Sequence, residues 1–222
     1  MGRTQVRLTE DQVVGLRAKA SAEGVSVAEE RRGVTCVSSR VVGIMGSPRE
    51  GGNTDRMVSW VLEAAKEAGA EVGKVDLKDL TIAQCRACDT CGKPPYRCVN
   101  QDDMEMLQAL LSGAQGIVLG TPVYWWGPSG YMKVFVDRWY GFRGDRKNTL
   151  RGKKIGLVTP LGDDDLATAR HVVGMFQDAL DYLKCDLHSP VLAPGCSGRG
   201  DVEKTPGLRE KCAELGKWLA DR

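Results

Sequence analysis

Val41-Val42-Gly43-Ile44-Met45-Gly46-Ser47-Pro48-Arg49-Glu50-Gly51-Gly52-Asn53-Thr54 passes from an apolar run into a Gly/Ser/Asn/Thr loop and then into a helix-like segment. The run is short and β-branched, which suits a strand buried on both faces. The loop has the chemistry of an anion site. Gly46, Gly51 and Gly52 let backbone N–H groups approach a phosphate, Ser47, Asn53 and Thr54 offer side-chain donors at a helix start, and Arg49 adds a charge. The competing reading is an ordinary Gly-rich turn. The spacing from Gly46 to Gly51 matches the glycines of G-x-x-x-x-G-K-[ST], but Gly52 stands where the lysine belongs, so an NTPase reading fails. The dinucleotide fingerprint G-x-G-x-x-G is absent from this turn, which leaves a mononucleotide.

Outward from this stretch, helix and strand patterns alternate. Residues 54–68 place Met57, Val58, Trp60, Val61, Leu62, Ala64 and Ala65 among charged positions, an amphipathic helix that Gly69 ends. Residues 71–77 alternate Val72, Val75 and Leu77 with polar positions, a second strand. Asp102-Asp103-Met104 is an acid-first helix start, and Gly113 stops that helix. Residues 116–120, 153–159 and 187–192 read as further strands, and 129–140, 166–183 and 208–219 as further helices. Five strands alternating with helices predict an α/β fold, a doubly wound parallel sheet covered on both faces. Ligands bind such sheets at the carboxyl ends of the strands. The loops at 46–54, 121–127 and 159–163 all follow strands and are expected to form one pocket.

In the second of these loops, Pro122-Val123-Tyr124-Trp125-Trp126-Gly127 brings three large aromatics toward the phosphate site. A flavin fits both ends, with its phosphate in the first loop and its ring against the second; the alternative places Trp125 and Trp126 in a core or a dimer surface. Four of the eight cysteines lie together as Cys85, Cys88, Cys91 and Cys98, a clustering that points to a metal site. Three thiols fall within seven residues, whereas structural zinc sites more often pair two knuckles across a longer loop; a 4Fe-4S cluster, zinc and metal-free thiols all remain open. Cys36, Cys185, Cys196 and Cys212 are scattered and read as small apolar residues or incidental thiols. Arg86, Lys93 and Arg97 put positive charge beside the loop, favouring a reduced cluster or an acidic electron-transfer partner. Neither His171 nor His188 is assigned a site role.

Gly46-Ser47-Pro48-Arg49 with Gly51-Gly52-Asn53-Thr54, then Pro122-Val123-Tyr124-Trp125, then Lys133-Val134-Phe135-Val136-Asp137-Arg138, resemble the flavodoxin-like NAD(P)H-dependent FMN reductase family over residues 40–200. The resemblance implies bound FMN, a five-stranded sheet in the order 2-1-3-4-5, and a homodimer or homotetramer. It implies that Ser47, Arg49, Gly52, Asn53 and Thr54 hold phosphate and that Pro122, Val123, Tyr124, Trp125, Trp126 and Gly127 flank the ring. The cysteine spacing is similar to the iron-sulfur flavoprotein branch, which implies a 4Fe-4S cluster on Cys85, Cys88, Cys91 and Cys98. An NAD(P)H or ferredoxin-type electron donor follows from the same resemblance, and flavin beside a cluster would join two-electron to one-electron chemistry.

Ahead of this domain, residues 3–33 run strand, helix, helix, with capping boxes at Thr9/Gln12 and Ser26/Glu29. The order resembles a truncated ribbon-helix-helix module, in which Gln5 and Arg7 would face DNA; the competing reading is a vestigial extension. We therefore divide the chain into an extension and linker over 1–37 and an FMN-binding domain over 38–222, with the cysteine loop at 85–98. A net charge of +2, from 31 Lys and Arg against 29 Asp and Glu, does not favour nucleic acid over other partners. No apolar run of membrane-spanning length and no secretory leader is visible, so a cytoplasmic protein is expected. Three functions are carried forward: an FMN-dependent oxidoreductase with a 4Fe-4S cluster, a cluster-free NAD(P)H-dependent FMN or quinone reductase, and a redox-responsive DNA-binding regulator.

Overall fold

The apolar run that opens the fold becomes strand β1 (Arg40–Met45), buried at every position after Arg40. A computed structural model describes residues 39–146 and 148–221, with the side chains of all but 143–146. The extension over 1–37, with Gln5 and Arg7, lies outside these residues. On its two sides β1 pairs in parallel with β2 (Glu71–Asp76) and β3 (Gly116–Gly120), setting Val42 opposite Gly73 and Ile117. Strand β4 (Lys154–Pro160) continues the sheet, whose order is β2-β1-β3-β4-β5.

The fifth position differs from expectation. In place of one strand over 187–192 there are two short ones, β5 (Asp186–Leu187) beside Lys154 and Ile155, and β6 (Val191–Ala193) beside Val158 to Pro160. Pro190 has no N–H for the ladder, so pairing stops after the His188 N–H donates to the Ile155 carbonyl at 3.0 Å and resumes beyond the proline.

Among the described residues, five α-helices cover the sheet: α1 (Asn53–Glu67), α2 (Met104–Ser112), α3 (Gly130–Asp137), α4 (Arg170–Tyr182) and α5 (Leu208–Ala220). Alternate strand residues feed two cores, as a two-residue period requires. Val42, Ile44, Ile117 and Leu119 join Leu107, Phe135 and Phe176 on the α2, α3 and α4 side. Val41, Met45 and Val118 join Val58, Val61, Cys212 and Leu215 on the α1 and α5 side. Helices α1 and α5 meet at their backbones, because a Cβ on Gly216 would stand 2.2 Å from the Val61 carbonyl oxygen. None of the helices among the described residues is long and apolar enough to cross a membrane.

The helix expected over 129–140 stops at Asp137 and tightens into a 3-10 segment, Arg138–Arg146. Gly141 and Gly144 are poor helix formers, and the Arg138 side chain is tied to the cysteine loop, so the chain leaves the α-helical path there. At the carboxyl edge, backbone bonds draw the loops together. The Gly46 N–H donates to the Gly120 carbonyl at 2.7 Å, that of Thr121 to Val158 at 3.2 Å and that of Leu161 to Ala193 at 2.9 Å.

Candidate functional site

Where β1 ends, the chain turns into α1 through a loop that needs its glycines. Gly51 has a φ of +61°, a conformation that L side chains rarely adopt. Its N–H donates to Asp55 Oδ2 at 2.7 Å, and Asp55 in turn pairs with Lys74 beneath the loop, with both side chains largely buried. The N–H groups of Asn53 and Thr54, in the first turn of α1, have no intrahelical acceptor by the geometry of the helix. Together with the helix dipole they make this end of α1 electropositive. On the loop, Ser47 Oγ accepts from the Arg49 N–H at 3.1 Å. Ser129 fixes the neighbouring wall: its hydroxyl donates to the Gly46 carbonyl and accepts from the Met132 N–H, capping α3.

These loops enclose a cleft of about 270 Å³. Ser47, Arg49, Gly52, Asn53 and Thr54 line one side, and Pro122, Val123 and Tyr124 another. Pro160 to Gly162 close the third, so the three loops expected to meet do meet. A fourth loop, with Cys196, Ser197 and Arg199, completes the cleft. Asn53 holds it: Nδ2 donates to the carbonyls of Cys196 at 3.2 Å and Gly198 at 2.8 Å, and Oδ1 accepts from the Gly200 N–H at 2.8 Å. The Asn53 side-chain donors are thus engaged by protein, which leaves its backbone N–H as the donor on the cleft side. From the opposite direction Arg199 clamps the first loop, donating to the carbonyls of Glu50 at 2.7 Å and Gly51 at 3.2 Å. Sequence reasoning missed this loop, although Gly195-Cys196-Ser197-Gly198-Arg199-Gly200 is a second Gly-rich turn after a strand.

Trp125, Trp126 and Gly127 lie apart from the cleft wall. Tyr124 and Gly127 exchange backbone bonds of 2.8 and 3.0 Å around a two-residue turn, and Trp125 and Trp126 carry φ values of +48° and +61°. This is the I′ pattern, which favours Asn and Gly; bulky residues there cost about 1–3 kcal/mol each. Trp125 is 91% exposed and Trp126 46%, so neither belongs to the core.

Beyond Tyr124, an apolar hollow of about 400 Å³ is lined by Pro48, Leu77, Leu80, Ile82 and Tyr131, and ends at Gln84. The cysteine loop begins at the next residue. Cys85, Cys88, Cys91 and Cys98 all line one concavity of about 560 Å³. Among the described residues no three His, Cys, Asp or Glu side chains converge tightly enough to hold a single metal ion. Ala87, Asp89 and Tyr96 take positive φ to fold the loop around this hollow. A hydrogen bond from the Thr90 hydroxyl lowers the Cys88 pKa, whereas burial raises that of Cys91. The base of the loop is fastened by Asp102, Asp103 and Arg138. Asp103 bonds Thr81 through backbone and side chain, and Asp102 Oδ2 accepts from the Ala83 N–H at 3.0 Å and from Arg138 at 2.5 Å. Tyr140 donates to Asp89 Oδ1 at 2.6 Å.

A doubly wound parallel sheet in the order β2-β1-β3-β4-β5, with a helix start and a cleft at its carboxyl edge, defines a flavodoxin-like fold. Residues 39–190 match the NADPH-dependent FMN reductase family. An iron-sulfur flavoprotein of Archaeoglobus fulgidus is 32% identical over 188 residues, covering 79% of each chain. Another iron-sulfur flavoprotein, from Methanosarcina thermophila, is 34% identical over 123 residues, 55% of this chain and 63% of the relative. In fold alone, an FMN-dependent NADH-azoreductase from Bacillus anthracis, solved with FMN, superposes with a TM-score of 0.62 at 13% identity, over 82% of this chain and all of that one. The chain belongs to the NADPH-dependent FMN reductase family, in its iron-sulfur flavoprotein branch, and is a flavin-dependent oxidoreductase.

Proposed function

We propose that this chain is an FMN-dependent electron-transfer oxidoreductase whose cysteine loop holds a 4Fe-4S cluster. The carrying observation is the sharing of one hollow by all four thiols of a compact motif. A cube takes thiolates around its corners, whereas a single ion needs its donors converged on one point. When bound, FMN exchanges electrons in pairs or singly and the cluster exchanges them singly, so together they join two-electron donors to one-electron acceptors.

For FMN, the donor chemistry fits a phosphate at the start of α1. The backbone N–H groups of Asn53 and Thr54 and the hydroxyls of Ser47 and Thr54 would hold it, with the Arg49 guanidinium balancing its charge. Gly52 lets the backbone approach, and Pro122, Val123 and Tyr124 form a wall against which a flat ring packs. Trp125, Trp126 and Gly127 stand beyond that wall, on the outer side of the turn. Asn53 and Arg199 act by closing the loop at 196–199 over the site.

Under this reading NAD(P)H or a ferredoxin-type protein supplies electrons, the chain works as a homodimer or homotetramer, and residues 1–37 form a separable extension. Replacing any one of Cys85, Cys88, Cys91 or Cys98 by Ser is expected to lower iron and acid-labile sulfide together while FMN stays bound. Iron and sulfide unchanged in all four variants would remove the loop from the account and favour the cluster-free reductase.

A further inference from the structure

Among the described residues, Arg138 is a buried cation whose burial needs an explanation. Its side chain is only 3% exposed, and a buried cation is expensive unless every donor finds a partner. Nη1 donates to Asp102 Oδ2 at 2.5 Å and to the Ala83 carbonyl at 2.7 Å; Nη2 donates to Asp102 Oδ1 at 3.1 Å. The remaining direction of Nη2 points at Cys98 Sγ, 3.4 Å away. Asp102 alone could neutralise this cation in a two-pronged pair, so the contact with sulfur is additional to what charge balance requires.

The same set of bonds closes the loop that carries the four thiols. Ala83 lies just before Cys85 and Asp102 just after Cys98, and the pair binds both the N–H and the carbonyl of Ala83. Gln84 and Asn100 add a further rung at 3.1 Å. Arg138, Tyr140 and Gly141 line a cavity together with Cys85, Cys91 and Cys98. Tyr140 reaches Asp89, and a Cβ on Gly141 would lie 3.9 Å from Cys91 Sγ. Arg86, Lys93 and Arg97, the cations visible beside the cysteines in the sequence, are not buried, so water and salt screen them. Arg138 sits where screening is weak.

Resting on the cluster reading, we propose that Arg138 is the positioning residue that sets the reduction potential of the group held by Cys98. It presents a fixed positive charge and an N–H to the sulfur. Hydrogen bonds to ligand sulfurs and nearby positive charge stabilise the more negative, reduced form, which raises the potential. Asp102 supplies the counter-charge and the geometry.

The test is a dithionite titration of holoprotein, followed by electron paramagnetic resonance, on wild type, Arg138→Gln and Asp102→Asn, with iron, sulfide and FMN measured on each sample. Arg138→Gln is expected to make the cluster harder to reduce by at least tenfold in the equilibrium constant, about 59 mV for one electron. Asp102→Asn, which loosens the loop but keeps the cation, is expected to leave the potential in place or raise it. Iron bound at wild-type content with an unchanged potential in Arg138→Gln overturns the inference and leaves the cluster reading standing. Equal downward shifts in both variants overturn it too, since a loosened loop would then explain them. If Arg138→Gln loses its iron, Arg138→Lys takes its place, because one ammonium cannot serve Asp102, Ala83 and Cys98 together; a wild-type potential there also overturns the inference. Wild type without iron brings down the cluster reading itself, and the iron assay shows this before any titration.

Discussion

Asn53→Ala removes three hydrogen bonds at once, the two donations to Cys196 and Gly198 and the acceptance from Gly200. A net contribution of about 0.5–1.5 kcal/mol per bond gives roughly 3 kcal/mol. Two corrections act in the same direction. These bonds are partly exposed, so water replaces some of what is lost, and Ala is a better helix former than Asn by up to about 0.7 kcal/mol. The expected loss is therefore about 2 kcal/mol. With an m-value of about 3 kcal/mol/M in urea, the midpoint of FMN-free protein should fall by roughly 0.7 M. Arg49→Ala is the comparison. Its side chain is exposed, so stability should change by less than about 0.5 kcal/mol, whereas FMN affinity should fall in both variants. Denaturation followed by circular dichroism, with FMN binding measured by quenching of flavin fluorescence, separates the two effects. An Asn53→Ala midpoint equal to wild type would refute the role given to Asn53 in holding the fourth loop.

Gly216→Ala should destabilise the FMN-free domain by about 1–3 kcal/mol or more, since the new methyl meets the Val61 carbonyl between α5 and α1; a melting temperature within error of wild type would refute that close approach. The base of the cysteine loop should open in acid. Burial opposes ionisation of Asp102, but Arg138 and the N–H groups of Ala83 and Met104 outweigh it and hold its pKa below the usual 3.8. A depressed folded-state value gives stability that is complete above the unfolded pKa and lost as pH falls through the folded one. Hydrogen-exchange protection around Ala83 and Met104 in metal-free protein, corrected for intrinsic rates, should hold at pH 5 and drop below 3.8, and Asp102→Asn should abolish that pH dependence. Deletion of residues 1–37 should leave FMN content and reductase activity largely intact, and loss of soluble protein on deletion would show that the extension supports the domain or its assembly.

Much of this architecture was legible because it rests on local signals. The run from Val41 to Thr54 combines a two-face buried strand with glycines at a helix start, and the structure places both features as read. The compact cysteine motif was likewise visible, since its spacing alone keeps the thiols within one loop. What escaped depends on contacts distant in sequence. The break at Pro190 was in view, but its consequence appears only when β4 is seen to pair with both pieces. The turn at Trp125 and Trp126 has none of the Asn or Gly residues that announce an I′ turn, so nothing local pointed to two solvent-facing tryptophans. Asn53 looked like a phosphate donor at a helix start, yet its side chain is engaged by a loop 143 to 147 residues further on. Arg138 could be read as part of an amphipathic helix, and only the tertiary fold brings it against Asp102 and Cys98.

The central claim, a flavin and a cluster on one chain, is tested most directly by purifying the wild-type protein without oxygen and recording its absorption spectrum alongside FMN, iron, sulfide and zinc analyses. The account predicts flavin bands over a broad iron-sulfur absorbance that bleaches with dithionite, with four irons and four sulfides for each FMN. Flavin bands alone, or stoichiometric zinc in place of iron, would contradict it.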